Sequence, residues 1–326
     1  IVIDDRDRSA CARDWIRFVH EIDLHFFVLY SQFGQFATNF FAIWAGFVLI
    51  ELYHDNIVSL LMNFFEALIL GVIQGISEFL PISSSGHLIV AEQYMHLPVA
   101  DLQSFDVAVH FGTLLTIFVY FRKDIGKLLI AFGQIIVRKA PDKEEKSLIG
   151  YLILGTIPAV LVGLFFNDFL KDNFRNTGSV AFMLIVVAIY FVVAEIVKRR
   201  RKVQKIGLFQ AVLIGCAQAV ALIPGVSRSG ITIATGLVQG VRRDEAARFS
   251  FLLGSVAITA ATVLSVFKVM KGEFLMPSTP ILITGIASSF VAGYAAVSLL
   301  MRFLKSHPLH VFAIYRILLA VVILSF

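Results

Sequence analysis

The sequence predicts an all-α polytopic membrane protein. We expect an inverted-topology repeat with two re-entrant helix pairs and about six spanning helices, plus an extra N-terminal membrane segment. The first observation is composition: 58% of the 326 residues are hydrophobic, only 16% are charged, and the mean hydropathy is +0.84. Soluble domains carry about 25% charged residues. The second is the recurrence of apolar stretches of about 20 residues, the length that crosses a bilayer as a helix. The third is a pair of similar polar clusters that interrupt apolar sequence.

The chain begins with a segment that we expect to be separate from the core. Residues 26–50 carry no charged side chain and are long enough to span a membrane, and several arginines precede them. No motif in residues 1–61 indicates chemistry. We therefore predict an N-terminal extension over 1–61 and a membrane-embedded core over 62–326, with repeat halves at about 62–200 and 205–326.

Within the core, apolar segments define the expected spanning helices. They lie at about 104–121, 147–167, 178–197, 249–270, 280–302 and 309–326. Residues 125–137 are too short to span and are expected at the membrane interface or as a half-helix. Two further regions, about 63–95 and 207–240, are apolar but carry Gly, Pro and polar residues at their centres.

These two interrupted regions resemble each other. When residues 71–86 are placed over 215–230, five positions are identical, four of them at the interruption or polar. The identical pairs are Gly71 and Gly215, Gln74 and Gln218, Ser83 and Ser227, Ser85 and Ser229, and Gly86 and Gly230. Ser84 aligns with Arg228. The pattern predicts an internal duplication.

The distribution of cations orients the two halves. There is no Lys or Arg between Arg17 and Arg122, so the loop at 92–103 is expected outside the cell. The loops at 198–205 and 241–248 are basic and are expected in the cytoplasm. The first interrupted segment would then enter from outside and the second from inside, which is the pattern of an inverted repeat. The net charge of +5 is explained by this loop bias and does not indicate a nucleic-acid partner.

The two polar clusters together predict a phosphate-sized anion pocket. Turns with Pro and Gly leave helix N-terminal N–H groups free, and these attract anions. Arg228 adds a planar, permanently charged fork suited to phosphate. The predicted phosphate-binding residues are Ser83, Ser85, Gly86, Ser227, Ser229 and Gly230. Arg316, a lone cation in the last apolar segment, is a further candidate phosphate or carboxylate partner.

Other polar residues in the first cluster point to catalysis. Glu78 is a candidate metal ligand or acid/base group. His87 follows Ser84 by three positions, so on a helix the two would share a face, as a nucleophile and its base require. Asp106 and His110 begin a predicted span and are left open, because such residues can simply cap or hydrate a helix end.

These motifs resemble those of the undecaprenyl-diphosphate phosphatase family, the BacA-type bacitracin-resistance proteins. QGISEFLPISSSGH (74–87) is similar to the first family signature, PGVSRSG (224–230) to the second, and FAIYR (312–316) to the C-terminal end. The resemblance covers about residues 62–326 and implies a membrane enzyme that releases the terminal phosphate of undecaprenyl diphosphate. The product is the lipid carrier of cell-wall synthesis, and the activity confers bacitracin resistance.

The resemblance also implies a setting and partners for the protein. It places the protein in the bacterial inner membrane with the active site open toward the outer face. The expected partners are a polyprenyl diphosphate lipid and the bilayer, with no nucleic acid; a homodimer stays open.

The same resemblance assigns roles by motif position. Glu78 corresponds to the essential carboxylate, Ser84 to the proposed nucleophile and His87 to the essential histidine, while Arg228 with its flanking serines corresponds to the phosphate contacts. The family is metal-dependent, which implies Mg²⁺ or Ca²⁺ at Glu78. Gln74, where the family has Glu or Gln, is a second metal-ligand candidate with one fewer negative charge. An alternative with His87 as the nucleophile and Ser84 as a ligand stays open.

A transporter is the main rival function. Inverted repeats with broken helices are common in transporters, so the architecture also suits a polyprenyl-phosphate flippase. The combination of Glu78, Ser84 and His87 favours chemistry, because a carrier needs hydrogen-bond donors but no nucleophile and base.

Overall fold

In a computed structural model, the protein is described over residues 62–97, 102–174, 176–198, 206–271 and 277–325. The predicted N-terminal extension, 1–61, lies outside these residues. Every regular element in the described ranges is a helix. The helices are α1 Phe64–Phe79, α2 Ser84–Tyr94, α3 Gln103–Tyr120, α4 Arg122–Ile136, α5 Lys143–Phe174, α6 Thr177–Lys198, α7 Leu208–Val220, α8 Arg228–Val238, α9 Arg243–Met270, α10 Thr279–Phe303 and α11 His310–Ser325.

Four of the described helices are long and apolar enough to cross a membrane. They are Lys143–Phe166 within α5, α6, α9 and α10. The protein is therefore a multi-pass membrane protein that is all-helical in the described ranges, and four of the six predicted spanning segments meet this criterion there. The segment expected at 104–121 is α3, which bends by 84° into α4, so the two helices form at most one broken span. The segment expected at 309–326 is α11, which has only 16 residues and is about 24 Å long.

The two interrupted regions each form a pair of short helices, and the two connections are alike in the residue that precedes the second helix. Leu80 ends α1 in an extended conformation because Pro81 follows it. In the second pair Gly225 adopts a φ of +91°, which the turn requires. Ser83 and Ser227, the residues just before α2 and α8, have nearly equal backbone angles, with φ of 78° and 72°. A positive φ at a residue other than glycine is uncommon. The two loops thus share one unusual backbone conformation at the residue just before the second helix.

Each helix pair packs against the opposite half of the chain. Helix α1 lies along α10, and α7 lies along α5. Gly71 on α1 faces Gly285 and Gly215 on α7 faces Gly155, at distances that leave no room for a side chain at 71 or 215. Small residues of this kind let membrane helices approach closely. The aligned glycines therefore make equivalent helix contacts, one in each half.

The largest of the apolar clusters in the described residues includes Phe79, at the end of α1, and Val226, in the second loop. Phe79, Phe121 and Phe251 form its aromatic part, with ring centroids of Phe79 and Phe251 5.6 Å apart and those of Phe121 and Phe251 6.0 Å apart. All three rings are buried. Because Phe79 follows Glu78 directly, this core lies against the polar cluster described next.

Candidate active site

The carboxylate of Glu78 is the centre of the site. It lies in the last turn of α1, is 6% exposed, and receives hydrogen bonds from both halves of the chain. Oε1 accepts from Nη2 of Arg228 at 2.5 Å. Oε2 accepts from Oγ of Ser84 at 2.8 Å and from Nε2 of Gln74 at 3.1 Å. The structure therefore joins four predicted site residues in one hydrogen-bonded cluster.

The ion pair between Arg228 and Glu78 is largely buried, with the Arg228 side chain 14% exposed. A buried ion pair is costly to form and strongly destabilising to break on one side only. Only Nη2 of Arg228 is engaged: Nη1 is buried and has no hydrogen-bond partner in the described residues. Such an unpartnered charged donor beside a carboxylate is suited to an anion that arrives later.

Gly254 makes room for this guanidinium. A Cβ at position 254 would overlap Nη1 and Cζ of Arg228, so the arginine reaches Glu78 by crossing α9 at a residue without a side chain. Gly254 is separated from His110 by the same interval that separates Arg228 from Ser84. The first half therefore has a small residue at 84 and a large one at 110. At the two aligned positions the second half has the large Arg228 and the small Gly254.

His110, which the sequence left open, lies at the site. Its Nε2 is 3.7 Å from Oε2 of Glu78, and its Nδ1 donates to the carbonyl oxygen of Asp106 at 2.6 Å. The motifs missed this residue because it lies on α3, far in sequence from both clusters. Its spacing from Ser84, repeated by Gly254 and Arg228, was the available signal.

Ser84 and His87 do not pair with each other as expected. The hydroxyl of Ser84 donates to Glu78, whereas Nδ1 of His87 donates to the carbonyl oxygen of Ser83 at 2.7 Å. Nε2 of His87 accepts from the hydroxyl of Tyr315, also at 2.7 Å. Both ring nitrogens are thus engaged elsewhere. Ser84 is the first residue of α2, and its hydroxyl points back to Glu78 on α1. The three-residue spacing from Ser84 to His87 does not indicate this direction.

The remaining serines and glycines of the two motifs hold the loops together. Ser83 and Ser227 cap their helices by accepting from the N–H groups of Gly86 and Gly230, each at 3.3 Å. Two longer contacts of 3.4 Å link the loops: Gly225 N–H donates to Ser85 Oγ, and Ser229 Oγ donates to the carbonyl oxygen of Leu80. The structure brings all six predicted phosphate-binding residues of the loops together, and their role toward phosphate stays a prediction.

Arg316 has a different environment from the one expected of a phosphate ligand. The residue is fully buried, and its guanidinium donates to four backbone carbonyl oxygens. These belong to Pro81 in the first loop, Gly225 in the second loop, and Met183 and Leu184 on α6. Arg316 therefore ties both loops to α6 and α11, and its donors are engaged by the protein itself.

A separate charged cavity of about 720 Å³ lies between α4, α5 and α9. Its lining includes the ion pair between Asp124 and Arg248, 2.5 Å apart, and none of the site residues named above. Phe249 and Leu252 form part of its wall and belong to the same apolar core as Phe79. The core therefore separates the cavity from the cluster at Glu78.

The fold and the paired loops define the class: a polytopic membrane protein with a carboxylate, hydroxyl and guanidinium site suited to phosphate chemistry. The sequence model of the family described as bacitracin resistance protein BacA matches residues 67–322. The chain belongs to this family.

Curated relatives carry a common name. An undecaprenyl-diphosphatase of Rubrobacter xylanophilus is 40% identical over 266 residues, which cover 81% of this chain and 98% of the relative. An undecaprenyl-diphosphatase of Thermomicrobium roseum is 38% identical over 272 residues, or 81% of this chain and 98% of the relative. One of Mycolicibacterium smegmatis is 38% identical over 269 residues, or 81% and 96%. The similarity thus extends over nearly the whole length of each relative.

Proposed function

We propose that this protein hydrolyses undecaprenyl diphosphate to undecaprenyl phosphate and inorganic phosphate. The reaction recycles the lipid carrier of bacterial cell-wall synthesis and confers bacitracin resistance. The observation that carries the proposal is the buried Glu78 carboxylate. It accepts a hydrogen bond from the proposed nucleophile, Ser84, after the first loop and from the cation Arg228 after the second. The names of the relatives and the family of the chain support the same activity.

In this mechanism Ser84 is the nucleophile. Its Oγ attacks the terminal phosphorus, the bond from phosphorus to the bridging oxygen breaks, and undecaprenyl phosphate leaves. The Ser84 proton passes to Oε2 of Glu78, the acceptor already within hydrogen-bond distance. Water then attacks the phosphoserine, which releases inorganic phosphate and restores the hydroxyl. The resting geometry favours Ser84 over His87 as nucleophile, because both ring nitrogens of His87 are engaged.

Arg228 stabilises the phosphoryl group during transfer. Nη2 stays on Glu78, and Nη1, which has no partner among the described residues, donates to an equatorial oxygen. Donors already placed where charge develops act mainly in the transition state. The N–H groups and hydroxyls of the two loops, at Ser83, Ser85, Gly86, Ser227, Ser229 and Gly230, surround the phosphate.

A divalent metal, Mg²⁺ or Ca²⁺, fits this site only with help from the substrate. Both ions prefer oxygen ligands, and Mg²⁺ is commonly held by one or two carboxylates and substrate phosphates. Oε1 of Gln74 is a buried acceptor without a hydrogen-bond partner in the described ranges, and the same amide contacts Glu78. Gln74 and Glu78 would hold the ion together with the diphosphate, and the ion would offset charge on the leaving group.

The architecture that we propose is an inverted-topology repeat whose two re-entrant pairs are α1 with α2 and α7 with α8. The matching backbone angles of Ser83 and Ser227 and the equivalent packing of α1 on α10 and α7 on α5 support it. The repeat has diverged where chemistry needs it, since Leu222 stands at the position that aligns with Glu78. One half thus supplies the carboxylate and the other the cation.

The membrane orientation gives a direct prediction. We place the protein in the inner membrane, with the site opening outward, the loop at 92–103 outside, and the loops at 198–205 and 241–248 in the cytoplasm. Single cysteines in these loops, labelled in intact cells with an impermeant reagent, should react only at 92–103. Labelling of 92–103 and 241–248 from the same side would rule out the inverted repeat. A homodimer stays a prediction.

A polyprenyl-phosphate flippase is not favoured as an alternative. A carrier has no need of a serine hydrogen bonded to a buried carboxylate, and the relatives described above are named as diphosphatases.

The test of the proposed function is phosphate release from undecaprenyl diphosphate by the purified full-length chain. We expect release with Mg²⁺ or Ca²⁺, loss on addition of a chelator, and recovery when the metal is restored. A preparation made in the same way from cells that do not express the chain controls for contaminating phosphatases. No release above this control with metal present would refute the function. Release that persists after chelation would refute only the metal requirement.

A further inference from the structure

Tyr315 contacts the side chain of His87, a predicted catalytic residue, from outside the two loops. It lies on α11, in the FAIYR segment, and is 41% exposed. Its hydroxyl lies 2.7 Å from Nε2 of His87, and the two rings are nearly parallel, with centroids 5.7 Å apart and planes inclined by 5°. His87 and Tyr315 are 228 positions apart in sequence.

The hydrogen bonds of His87 determine its tautomer. The carbonyl oxygen of Ser83 can only accept, so Nδ1 must carry a proton to bond it. In the neutral ring Nε2 then has the lone pair, and the Tyr315 hydroxyl donates to it. A partner at one ring nitrogen commonly sets the function of the other in this way.

Arg316 explains why Tyr315 faces His87. Its guanidinium fixes α11 against α6 and against both loops through backbone carbonyls, and its Cζ lies 5.5 Å from the centre of the Phe191 ring. Successive residues of a helix are rotated by about 100°. With Arg316 on the buried face, Tyr315 is turned toward α2. The buried arginine thus sets the rotation of α11 that brings the tyrosine to the histidine.

We propose that Tyr315 is a positioning residue for His87. It holds the imidazole ring in place through a hydrogen bond to Nε2, while the Ser83 carbonyl fixes the proton on Nδ1, beside the loop that carries Ser84. The inference rests on the proposed function for its kinetic consequence and on geometry alone for its structural one. Without the hydroxyl, the ring keeps its contact with Ser83 but loses the second of its two fixed contacts, so its orientation is less restricted.

The variant Tyr315→Phe keeps the ring and removes the hydroxyl. We expect kcat to fall about 10- to 100-fold with little change in KM, the usual range for loss of a group that orients an active-site residue. Tyr190→Phe is the matched control. It also removes a tyrosine hydroxyl with one hydrogen bond between helices, to Thr235 at 3.0 Å, and should leave kcat unchanged.

Two further readouts separate positioning from general stability. In a His87→Ala background, Tyr315→Phe should add little further loss, because residues that act through one contact are non-additive. An equal loss in both backgrounds would overturn the proposal. The ¹⁵N shifts of the His87 ring in the resting protein should show a proton on Nδ1 and a hydrogen bond at Nε2, and the Nε2 shift should change in Tyr315→Phe; an unchanged Nε2 shift would also overturn the proposal.

The ¹⁵N measurement on the His87 ring does not require that the protein turn over substrate. If the wild-type chain released no phosphate, the proposed function would fail, and the ¹⁵N shifts would still decide whether Tyr315 fixes His87.

Discussion

Replacing Ser84 by alanine is expected to lower kcat by at least about 10⁴-fold, the scale seen when a nucleophile is removed from a hydrolase. The hydroxyl is the only group at position 84 that can form a bond to phosphorus, and Glu78 already accepts its hydrogen bond. The measurement is phosphate release from undecaprenyl diphosphate under saturating substrate. His87→Ala should lose less, about 10²- to 10⁴-fold, because His87 does not contact Ser84 in this structure.

Ser77→Ala is the matched control for this loss. Ser77 is a buried serine one residue from Glu78, whereas Ser84 is half-buried, and among the described residues the Ser77 hydroxyl bonds only the carbonyl oxygen of Ile73 within α1. It should fold and turn over normally. A Ser84→Ala protein with near wild-type turnover would remove Ser84 from the chemistry.

The second large effect is expected for Arg228→Lys, which keeps the charge and removes the fork. Nη2 donates to Glu78, and Nη1 has no hydrogen-bond partner among the described residues. One guanidinium can therefore contact Glu78 and the phosphate at the same time. A lysine offers a single point charge and cannot span both. We expect kcat to fall by about 10²-fold or more while KM moves little, as for loss of one preorganised donor. An unchanged kcat would show that charge alone suffices.

The same contact can be tested from α9. Gly254→Ala should displace the guanidinium from Glu78 and lower kcat, because the new methyl group would overlap it. Combined with Arg228→Lys, the second change should matter less, because the fork is already absent. Gly150→Ala is the matched control: it lies in α5 with no neighbour within 4 Å, so a methyl group there meets open space.

The sequence predicted the centre of the site because its signals are local. Glu78, Ser84 and Arg228 stand out as polar residues in apolar surroundings, where buried polar groups are expensive. The alignment of Ser83 with Ser227 predicted an internal duplication, and the structure gives both residues nearly the same uncommon backbone angles.

What the sequence could not reveal depends on long-range packing. His110 and Tyr315 reach the site from α3 and α11, and no local pattern links them to Glu78 or His87. The direction of Ser84 followed from the turn at Pro81, which no periodicity along α2 encodes. Arg316 was predicted to be available for phosphate. Its partners are backbone carbonyl oxygens, and the side chains in the sequence give no indication of such partners.

Two of the six predicted spans, at 104–121 and 309–326, do not form long straight apolar helices in the described residues, and the reason is related. Hydropathy treats an apolar stretch as straight, so it did not detect the 84° bend between α3 and α4. It also does not decide whether a short final helix such as α11 crosses the membrane or packs within it.

The most direct test of the mechanism is to trap the covalent intermediate. The protein is mixed with undecaprenyl diphosphate that carries ³²P in its terminal phosphate, quenched within milliseconds, digested and analysed by mass spectrometry. We predict acid-stable phosphate on Ser84, formed in wild type and in Ser77→Ala and missing in Ser84→Ala. Acid-labile phosphate on His87, or complete turnover without phosphate on Ser84, would contradict the account.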